Sequence, residues 1–217
     1  MIRVMLVDDQ VLLRAGFRMV LSAQPDIEVV AEAGDGSQAL EVLAHTEVDV
    51  VLMDVRMPKM DGVEATARID GPKVLILTTF DLDEYAFAAV KAGASGFLLK
   101  DVPPDDLLTA IRQVHAGDAV MAPSTLSRML RRFAAHLPSG GGDGAVAGLT
   151  PREHEVMIMV ARGLSNTEIA DRLSVAEATV KTHLGRVLAK LGLRDRAQVV
   201  VYAYEAGLIV PSNRPKV

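Results

Sequence analysis

The sequence lacks cysteine, a long apolar run and a signal-peptide pattern. Without cysteine, neither a disulfide framework nor a thiolate metal site can form. No apolar run approaches the roughly 20 residues that a membrane-spanning helix needs. Met1 leads directly into a strand-like run, without the basic and then apolar order of a signal peptide. We therefore expect a cytoplasmic protein with no membrane partner.

Negative charge exceeds positive charge overall, but the two halves of the chain differ. The 217 residues include 23 Lys and Arg against 28 Asp and Glu. Residues 1–138 hold 13 basic and 20 acidic side chains, whereas residues 149–217 hold 10 and 7. A chain of this length can form two small domains that each bury a core. An acidic half beside a basic half suggests a different partner for each.

A glycine-rich segment separates the two halves at residues 139–148, which read SGGGDGAVAG. Such a segment has no hydrophobic periodicity and is typical of a flexible linker. We expect a first domain over residues 1–117 and a second domain over residues 149–217. Residues 118–148 should connect them, with an amphipathic helix over Pro123–His136 before the linker.

Short apolar runs and amphipathic segments alternate in the first half. Runs rich in Val, Leu and Ile are typical of buried parallel strands, and apolar residues at helical spacing indicate helices. The predicted strands are Arg3–Val7, Glu28–Ala33, Asp49–Met53, Lys73–Thr78 and Ser95–Leu99. The predicted helices are Val11–Ala23, Ser37–Ala44, Val63–Ile69, Asp83–Ala92 and Pro104–Ala116. This alternation predicts a five-stranded parallel sheet, doubly wound in a flavodoxin-like α/β fold.

Polar side chains stand at the carboxyl ends of four predicted strands. Asp8 and Asp9 follow the first, Asp54 follows the third, Thr78 ends the fourth and Lys100 follows the fifth. Open α/β sheets bind ligands outside this edge, so these side chains should meet. Neighbouring carboxylates repel one another unless a cation lies among them, and an all-oxygen site with bound water suits Mg²⁺.

The same set of groups supports phosphoryl transfer. One carboxylate attacks phosphorus, the metal and Lys100 neutralise charge on the phosphoryl oxygens, and Thr78 donates a hydrogen bond to another oxygen. Taken singly, an aspartate at a strand end usually belongs to a turn, and a lysine there is usually solvated. Convergence of four strands on one edge favours a site over these ordinary explanations.

Residues 149–217 are typical of a small all-α domain of four helices. The predicted helices extend from Thr150 to about Gly163, from Ser165 to Leu173, from Glu177 to Leu191 and from Arg196 to Ala206. The first two begin with capping boxes, in which a hydroxyl residue precedes a glutamate by three positions. The spacing of the second and third helices, separated by residues 174–176, indicates a helix-turn-helix.

The third of these helices is the candidate DNA reader, since the later helix of the motif lies in the major groove. Its apolar stripe leaves Lys181, Thr182, Gly185 and Arg186 facing outward. Cationic and hydroxyl side chains beside a glycine suit close approach to phosphates and bases. A basic helix face can also be simply solvated.

Four separated motifs in the first half resemble the receiver domains of two-component response regulators, over about residues 2–117. The motifs are VDDQ at 7–10, MDVRMPKMDG at 53–62, LTTFD at 77–81 and GASGFLLKD at 93–101. The resemblance implies that Asp54 is the phosphoacceptor and that Asp8, Asp9 and Asp54 bind Mg²⁺. It also implies that Lys100 contacts the phosphoryl group and that Thr78, rather than Thr79, is the switch hydroxyl.

Phe97 falls where receivers often carry an aromatic side chain that turns inward when the switch hydroxyl moves. The same residue also fits a plain core position in the last strand. The resemblance therefore leaves a switch role and a core role open for Phe97.

The second half resembles the LuxR-type DNA-binding domain over nearly all of residues 149–210. The shared motifs are LTPREHEVM at 149–157, SNTEIADRL at 165–173 and TVKTHLGRVLAKLG at 179–192. The resemblance implies base contacts by Lys181, Thr182 and Gly185. It implies phosphate contacts by Thr167, Thr179, His183 and Lys190. It implies a dimer surface on the fourth helix made of Val199, Val200, Tyr202, Ala203 and Ala206.

Two positions at the third helix depart from that family, one at its cap and one within it. Relatives often have a polar cap at position 176, and Ala176 lacks it, which costs about 0.5–2 kcal/mol of helix stability. Gly185 replaces a long side chain that some relatives direct at a base. We expect readout at that point to depend on DNA shape.

Together the halves resemble the NarL/FixJ class of response regulators. The resemblance implies that a histidine kinase phosphorylates Asp54 and that the phosphoprotein dimerises on promoter DNA. No enzymatic activity is expected beyond Mg²⁺-dependent self-dephosphorylation. An atypical regulator that binds DNA without phosphorylation would not need the complete acidic pocket. A phosphatase with an aspartyl-phosphate intermediate would want an acid at Arg56, and a quorum-sensing regulator would not supply three metal-binding carboxylates.

Overall fold

The computed structural model describes residues 1–78, 88–117, 120, 146 and 148–209. The chain divides into two compact units, Met1–Val120 and Met121–Val217. The helix predicted over Pro123–His136 lies outside the described residues. Among the described residues, no helix combines the length and hydropathy needed to cross a membrane.

The first unit contains a parallel sheet flanked by helices. Its strands are β1 (Ile2–Val7), β2 (Ile27–Ala33), β3 (Val50–Asp54), β4 (Lys73–Thr78) and β5 (Gly96–Leu99). Its helices with fully described bounds are α1 (Val11–Ser22), α2 (Gly36–Leu43), α3 (Gly62–Arg68) and α4 (Pro104–His115). Residues 88–92 are also helical, and the rest of the helix predicted over Asp83–Ala92 lies outside the described residues.

The strand order is β2-β1-β3-β4-β5, and every pairing is parallel. The predicted doubly wound sheet is confirmed. Because β1 pairs with β2 on one side and β3 on the other, the connections reverse direction between β1 and β3. A crevice opens at such a reversal, outside the carboxyl ends of the strands.

Alternate residues of the central strands pack on opposite faces of the sheet, and both faces are buried. On one face Leu6, Leu52 and Leu75 join a core cluster with Leu107 and Ile111 of α4. The residues between them point to the other face and are also buried, since Met5, Met53 and Ile76 are fully inaccessible to solvent. Burial on both sides explains why these strands are nearly continuous apolar runs.

The second unit is helical, as predicted. It contains α5 (Pro151–Ala161), α6 (Asn166–Leu173), α7 (Glu177–Leu191) and α8 (Arg196–Glu205). Both capping boxes form, at Thr150–Glu153 and at Ser165–Glu168. The turn between α6 and α7 passes through Ser174 in the left-handed conformation, at φ 51°. The second and third helices are thereby joined in a helix-turn-helix.

Candidate acidic site and nucleic-acid interface

Three carboxylates meet at the carboxyl edge of the sheet. Asp8 follows β1 and Asp54 ends β3, and these two neighbouring strands pair up to Val7 and Met53. One carboxylate oxygen from each of Asp8, Asp9 and Asp54 lies within 4.8 Å of the others. Asp8 and Asp54 are buried, whereas Asp9 is exposed. The acidic cluster is therefore open to solvent on one side, and its donors suit a hard cation.

Lys100 bridges two members of this cluster. Its ammonium nitrogen lies 2.7 Å from Oδ2 of Asp8 and 2.8 Å from Oδ2 of Asp54. The lysine side chain is 4% exposed, and it reaches this position because Lys100 directly follows β5. Three carboxylates therefore face a single ammonium group. A divalent cation bound there would offset the excess of acidic groups.

Burial and charge act in opposite directions on the protonation of this site. Burial raises the pKa of the Asp54 carboxyl, the Lys100 ammonium opposes that effect, and the negative charge of Asp8 adds to it. The net pKa of Asp54 is raised. Burial by itself would lower the pKa of Lys100, but hydrogen bonds to Asp54 and Asp8 raise it. Lys100 is therefore a permanent cation at neutral pH.

The loop after β1 is held by contacts to its backbone and side chains. The Gln10 amide donates to Oδ1 of Asp8 at 2.8 Å. Arg14 of α1 donates to the Asp8 carbonyl at 2.5 Å, and its Nε donates to Glu32 of β2 at 2.8 Å. These bonds fix the direction in which Asp8 leaves the strand.

The loop after β3 depends on a glycine and on an ion pair. A Cβ atom at Gly62 would lie 1.9 Å from the carbonyl oxygen of Asp54, so a side chain there would displace the Asp54 backbone. Lys59 of this loop donates to Asp35 at 2.9 Å, and Asp35 also caps α2 by accepting from the Gln38 amide. The Lys59 ammonium and then the Gln38 amide lower the pKa of Asp35, so the pair is ionised at neutral pH.

Thr78 and Phe97 occupy the β4 and β5 side of the site. Thr78 ends β4 and is 6% exposed, and its carbonyl accepts from the Lys100 amide at 2.8 Å. Phe97 pairs with Ile76 in the sheet and is 5% exposed. This inward position agrees with both roles left open for Phe97. Thr79, the alternative to Thr78, lies outside the described residues.

The residues that position the site were not predicted from the sequence. Gly62, Arg14, Asp35 and Lys59 act on the loops rather than on a ligand. Gly62 and Lys59 both lie in the motif MDVRMPKMDG at 53–62, and Asp35 has the residue type of a helix cap. No sequence pattern predicts the role of Arg14, because its contacts to Asp8 and Glu32 connect three separate segments of the chain.

The outward face of α7 carries the predicted base-contacting residues. Lys181, Thr182 and Gly185 are exposed, whereas Val180 and Leu184 are buried beneath them. Ala176 offers α7 no side-chain cap, as expected from its residue type. Among described atoms, none lies within 4 Å of a Cβ built at Gly185, so the packing of the protein does not require glycine there.

The residues predicted to contact phosphates differ in their surroundings. Thr167 and Thr179 are exposed, and His183 is half-buried. Lys190 is 39% exposed and donates to the buried carboxylate of Glu153 at 2.7 Å. Lys190 therefore joins α7 to the start of α5, a structural role that was not predicted from the sequence.

The five residues of the predicted dimer surface on α8 differ in exposure, and their role in dimerisation stays a prediction. Val199 and Ala203 are fully buried and Val200 is 2% exposed, and α8 contacts α5 and α7 of the same domain. These three side chains present no surface to a partner in this structure. Tyr202 and Ala206 are half-buried and keep part of their surface accessible.

Comparison with known families matches both units. The family described as "Response regulator receiver domain" matches residues 4–112. The family described as "Bacterial regulatory proteins, luxR family" matches residues 147–203. The first match contains all the residues of the acidic cluster together with Lys100, and the second contains the helix-turn-helix.

Individual relatives align over almost the whole chain. The uncharacterized transcriptional regulatory protein YxjL of Bacillus subtilis is 42% identical, covering 96% of this chain and 97% of its own. The response regulator protein VraR of Staphylococcus aureus is 39% identical, covering 96% and 99%. Among solved structures, the response regulator ChrA of a heme-sensing two-component system is 39% identical, with a TM-score of 0.50 over 96% of this chain and 98% of its own.

Proposed function

The chain belongs to the response regulators that join a receiver domain to a LuxR-family DNA-binding domain, and it is a phosphorylation-dependent transcriptional regulator; we propose that a sensor histidine kinase phosphorylates Asp54 and that the phosphoprotein dimerises on promoter DNA. The observation that carries the proposal is the ion-pair geometry of Lys100, whose ammonium contacts Asp8 and Asp54 at once. The proposed location is the cytoplasm.

Asp8, Asp9 and Asp54 are the residues that would hold Mg²⁺. Their carboxylate oxygens lie close enough together to share one ion, and carboxylate oxygen is the donor that Mg²⁺ prefers. When bound, Mg²⁺ neutralises negative charge on the transferring phosphoryl group. The exposed position of Asp9 keeps one side of the cluster open to a phosphodonor.

Asp54 is the residue that accepts the phosphoryl group. A carboxylate oxygen of Asp54 attacks phosphorus, the bond from phosphorus to the donor histidine nitrogen breaks, and the imidazole leaves with that electron pair. Lys100 exchanges its contact with Asp54 for a contact with a phosphoryl oxygen, and it remains next to Asp8. The Thr78 hydroxyl donates to another phosphoryl oxygen. Water later hydrolyses the acyl phosphate, and this self-dephosphorylation is the sole enzymatic step that we propose.

Helix α7 and its neighbours would bind the DNA. The exposed Lys181, Thr182 and Gly185 would approach the major groove, while Thr167 and Thr179 would lie near phosphates. Two half-sites read by a two-fold dimer raise each other's effective concentration, so dimerisation raises the apparent affinity. Tyr202 and Ala206 are the residues of α8 that we propose for that contact.

Intact-mass spectrometry with Mg²⁺ and acetyl phosphate tests the acceptor. Wild-type protein should gain the mass of one phosphoryl group, and Asp54→Asn should gain none. Asp101→Asn is the matched control, because Asp101 is an exposed acid directly after Lys100 and should leave labelling intact. Full labelling of Asp54→Asn would remove Asp54 from its role.

A further inference from the structure

Glu177 places a negative charge within the surface proposed to bind DNA. It lies in the first turn of α7, and its carboxylate contacts two of the DNA-facing residues. The Thr167 hydroxyl donates to Oε2 at 3.3 Å, and the Lys181 ammonium lies 3.4 Å from Oε1. One carboxylate therefore joins α6 to α7 through the side chains that would otherwise face DNA.

The Glu177 carboxylate contributes little to the stability of the domain. The side chains of Glu177 and Lys181 are 46% and 56% exposed, and exposed ion pairs contribute little to stability. A glutamate in the first turn favours the helix dipole, but that effect is also small at an exposed position. Replacing Glu177 by glutamine should leave the domain folded, because glutamine keeps the shape and an acceptor for Thr167.

The position of Glu177 gives its charge a larger effect on DNA affinity than on the stability of the domain. Glu177, Lys181 and Gly185 follow one another at intervals of four residues and so share one side of α7. N-terminal residues of a recognition helix approach the base edges and the adjacent phosphates. A carboxylate there repels the phosphates, and it also neutralises Lys181, which the phosphates would attract.

We propose that Glu177 is a specificity-determining residue, which lowers the affinity of the protein for random-sequence DNA by holding Lys181 and Thr167. Non-specific binding depends almost entirely on phosphate attraction, so a local negative charge weakens it most. A matching site adds base contacts that random DNA lacks, among them cytosine amino groups that can donate to a carboxylate. The residue thereby widens the difference between the two kinds of DNA. The inference rests on the DNA-binding role proposed above.

The test uses the full-length protein and a labelled duplex of random sequence. Fluorescence anisotropy over a series of salt concentrations gives the affinity and its salt dependence. Glu177→Gln should bind roughly fivefold more tightly than wild type, the effect of about one charge pair at contact distance in water. Its log–log salt slope should be steeper by about 0.9, as expected if Lys181 gains one phosphate contact.

Glu155→Gln is the matched control. It removes the same charge from an exposed position on the same domain, where Glu155 pairs with Arg152, and it should bind like wild type. In the double variant Glu177→Gln with Lys181→Ala, most of the gain should disappear. Equal affinities and slopes for Glu177→Gln and wild type would overturn the inference while leaving the DNA-binding role in place. If wild type and every variant fail to bind any duplex at low salt, the DNA-binding role fails and the inference with it.

Discussion

Lys190 of α7 donates to the buried Glu153 of α5 at 2.7 Å, and this bond joins the recognition helix to the first helix of the DNA-binding domain. Glu153 also accepts from the Thr150 amide at 2.8 Å as part of a capping box. Lys190 first and the Thr150 amide second lower the pKa of Glu153 from 4.5 to about 2. A residue predicted to contact DNA phosphates is therefore also part of the domain scaffold.

This pair makes the stability of the DNA-binding domain depend on pH. A carboxyl whose pKa is lowered by folding stabilises the folded state above its unfolded pKa, here 4.5, and that contribution is lost as the pH falls towards 2. Glu153→Gln should melt at a lower temperature than wild type at pH 7, and the difference should shrink as the pH falls through this window. Circular dichroism melts over this pH range compare the two proteins, and Glu155→Gln serves as the control for loss of one carboxylate from an exposed position of the same domain. A constant difference across the window would contradict the assignment.

Removal of Asp9 should weaken metal binding without unfolding the receiver. Asp9 is exposed, so Asp9→Ala leaves no buried group without its partner, but it removes one of three carboxylates around the site. Isothermal titration with Mg²⁺ should show a lower affinity and labelling by acetyl phosphate should slow, with an unchanged melting temperature in the absence of metal. An identical titration would remove Asp9 from the ligand set.

Removal of Lys100 should have the opposite effect on the metal. Lys100→Met deletes the cation that contacts Asp8 and Asp54, so both carboxylates become free to attract Mg²⁺. Titration should show tighter Mg²⁺ binding than in wild type, while acetyl phosphate labelling slows because a phosphoryl oxygen loses its cationic contact. Weaker Mg²⁺ binding in Lys100→Met would mean that the lysine organises the carboxylates rather than competing for them.

Substitution of Gly185 should change the stability of the domain and its affinity for DNA in opposite directions. Alanine fits there without a described neighbour within 4 Å, and glycine in a helix interior costs roughly 0.5–1 kcal/mol relative to alanine. Gly185→Ala should therefore raise the melting temperature of the DNA-binding domain and weaken binding to a selected DNA site, because the added methyl group lies where DNA approaches. Anisotropy and circular dichroism on the same samples check both effects. A variant that is more stable and binds equally well would show that no close approach occurs at this residue.

Sequence patterns were sufficient to predict the helices and strands, and to predict the edge of the sheet at which the acidic residues meet. Continuous apolar strands, capping boxes and the order of the motifs all act locally, so a single chain reveals them. Asp8, Asp54 and Lys100 meet because each ends or follows a parallel strand, which topology alone determines.

Contacts between distant segments could not be predicted in this way. The approach of Gly62 to the Asp54 carbonyl and the bond from Lys190 to Glu153 depend on three-dimensional packing. Burial of Val199 and Ala203 had the same origin, since an apolar helix face looks alike whether it covers its own core or a partner. The pattern on α8 could not distinguish these two uses.

Phosphorylation of Asp54 is the event that we propose to control binding to DNA. The most direct measurement is fluorescence anisotropy on an inverted-repeat duplex selected from a random library, at one salt concentration, with and without acetyl phosphate and Mg²⁺. The wild-type protein should bind more tightly with the phosphodonor and should form dimers by light scattering under the same conditions. Asp54→Asn should keep the basal affinity and lose the gain, whereas Lys181→Ala should bind more weakly in both conditions. Equal affinity and oligomeric state of the wild type with and without phosphodonor would contradict that proposal and favour a regulator that binds DNA independently of phosphorylation.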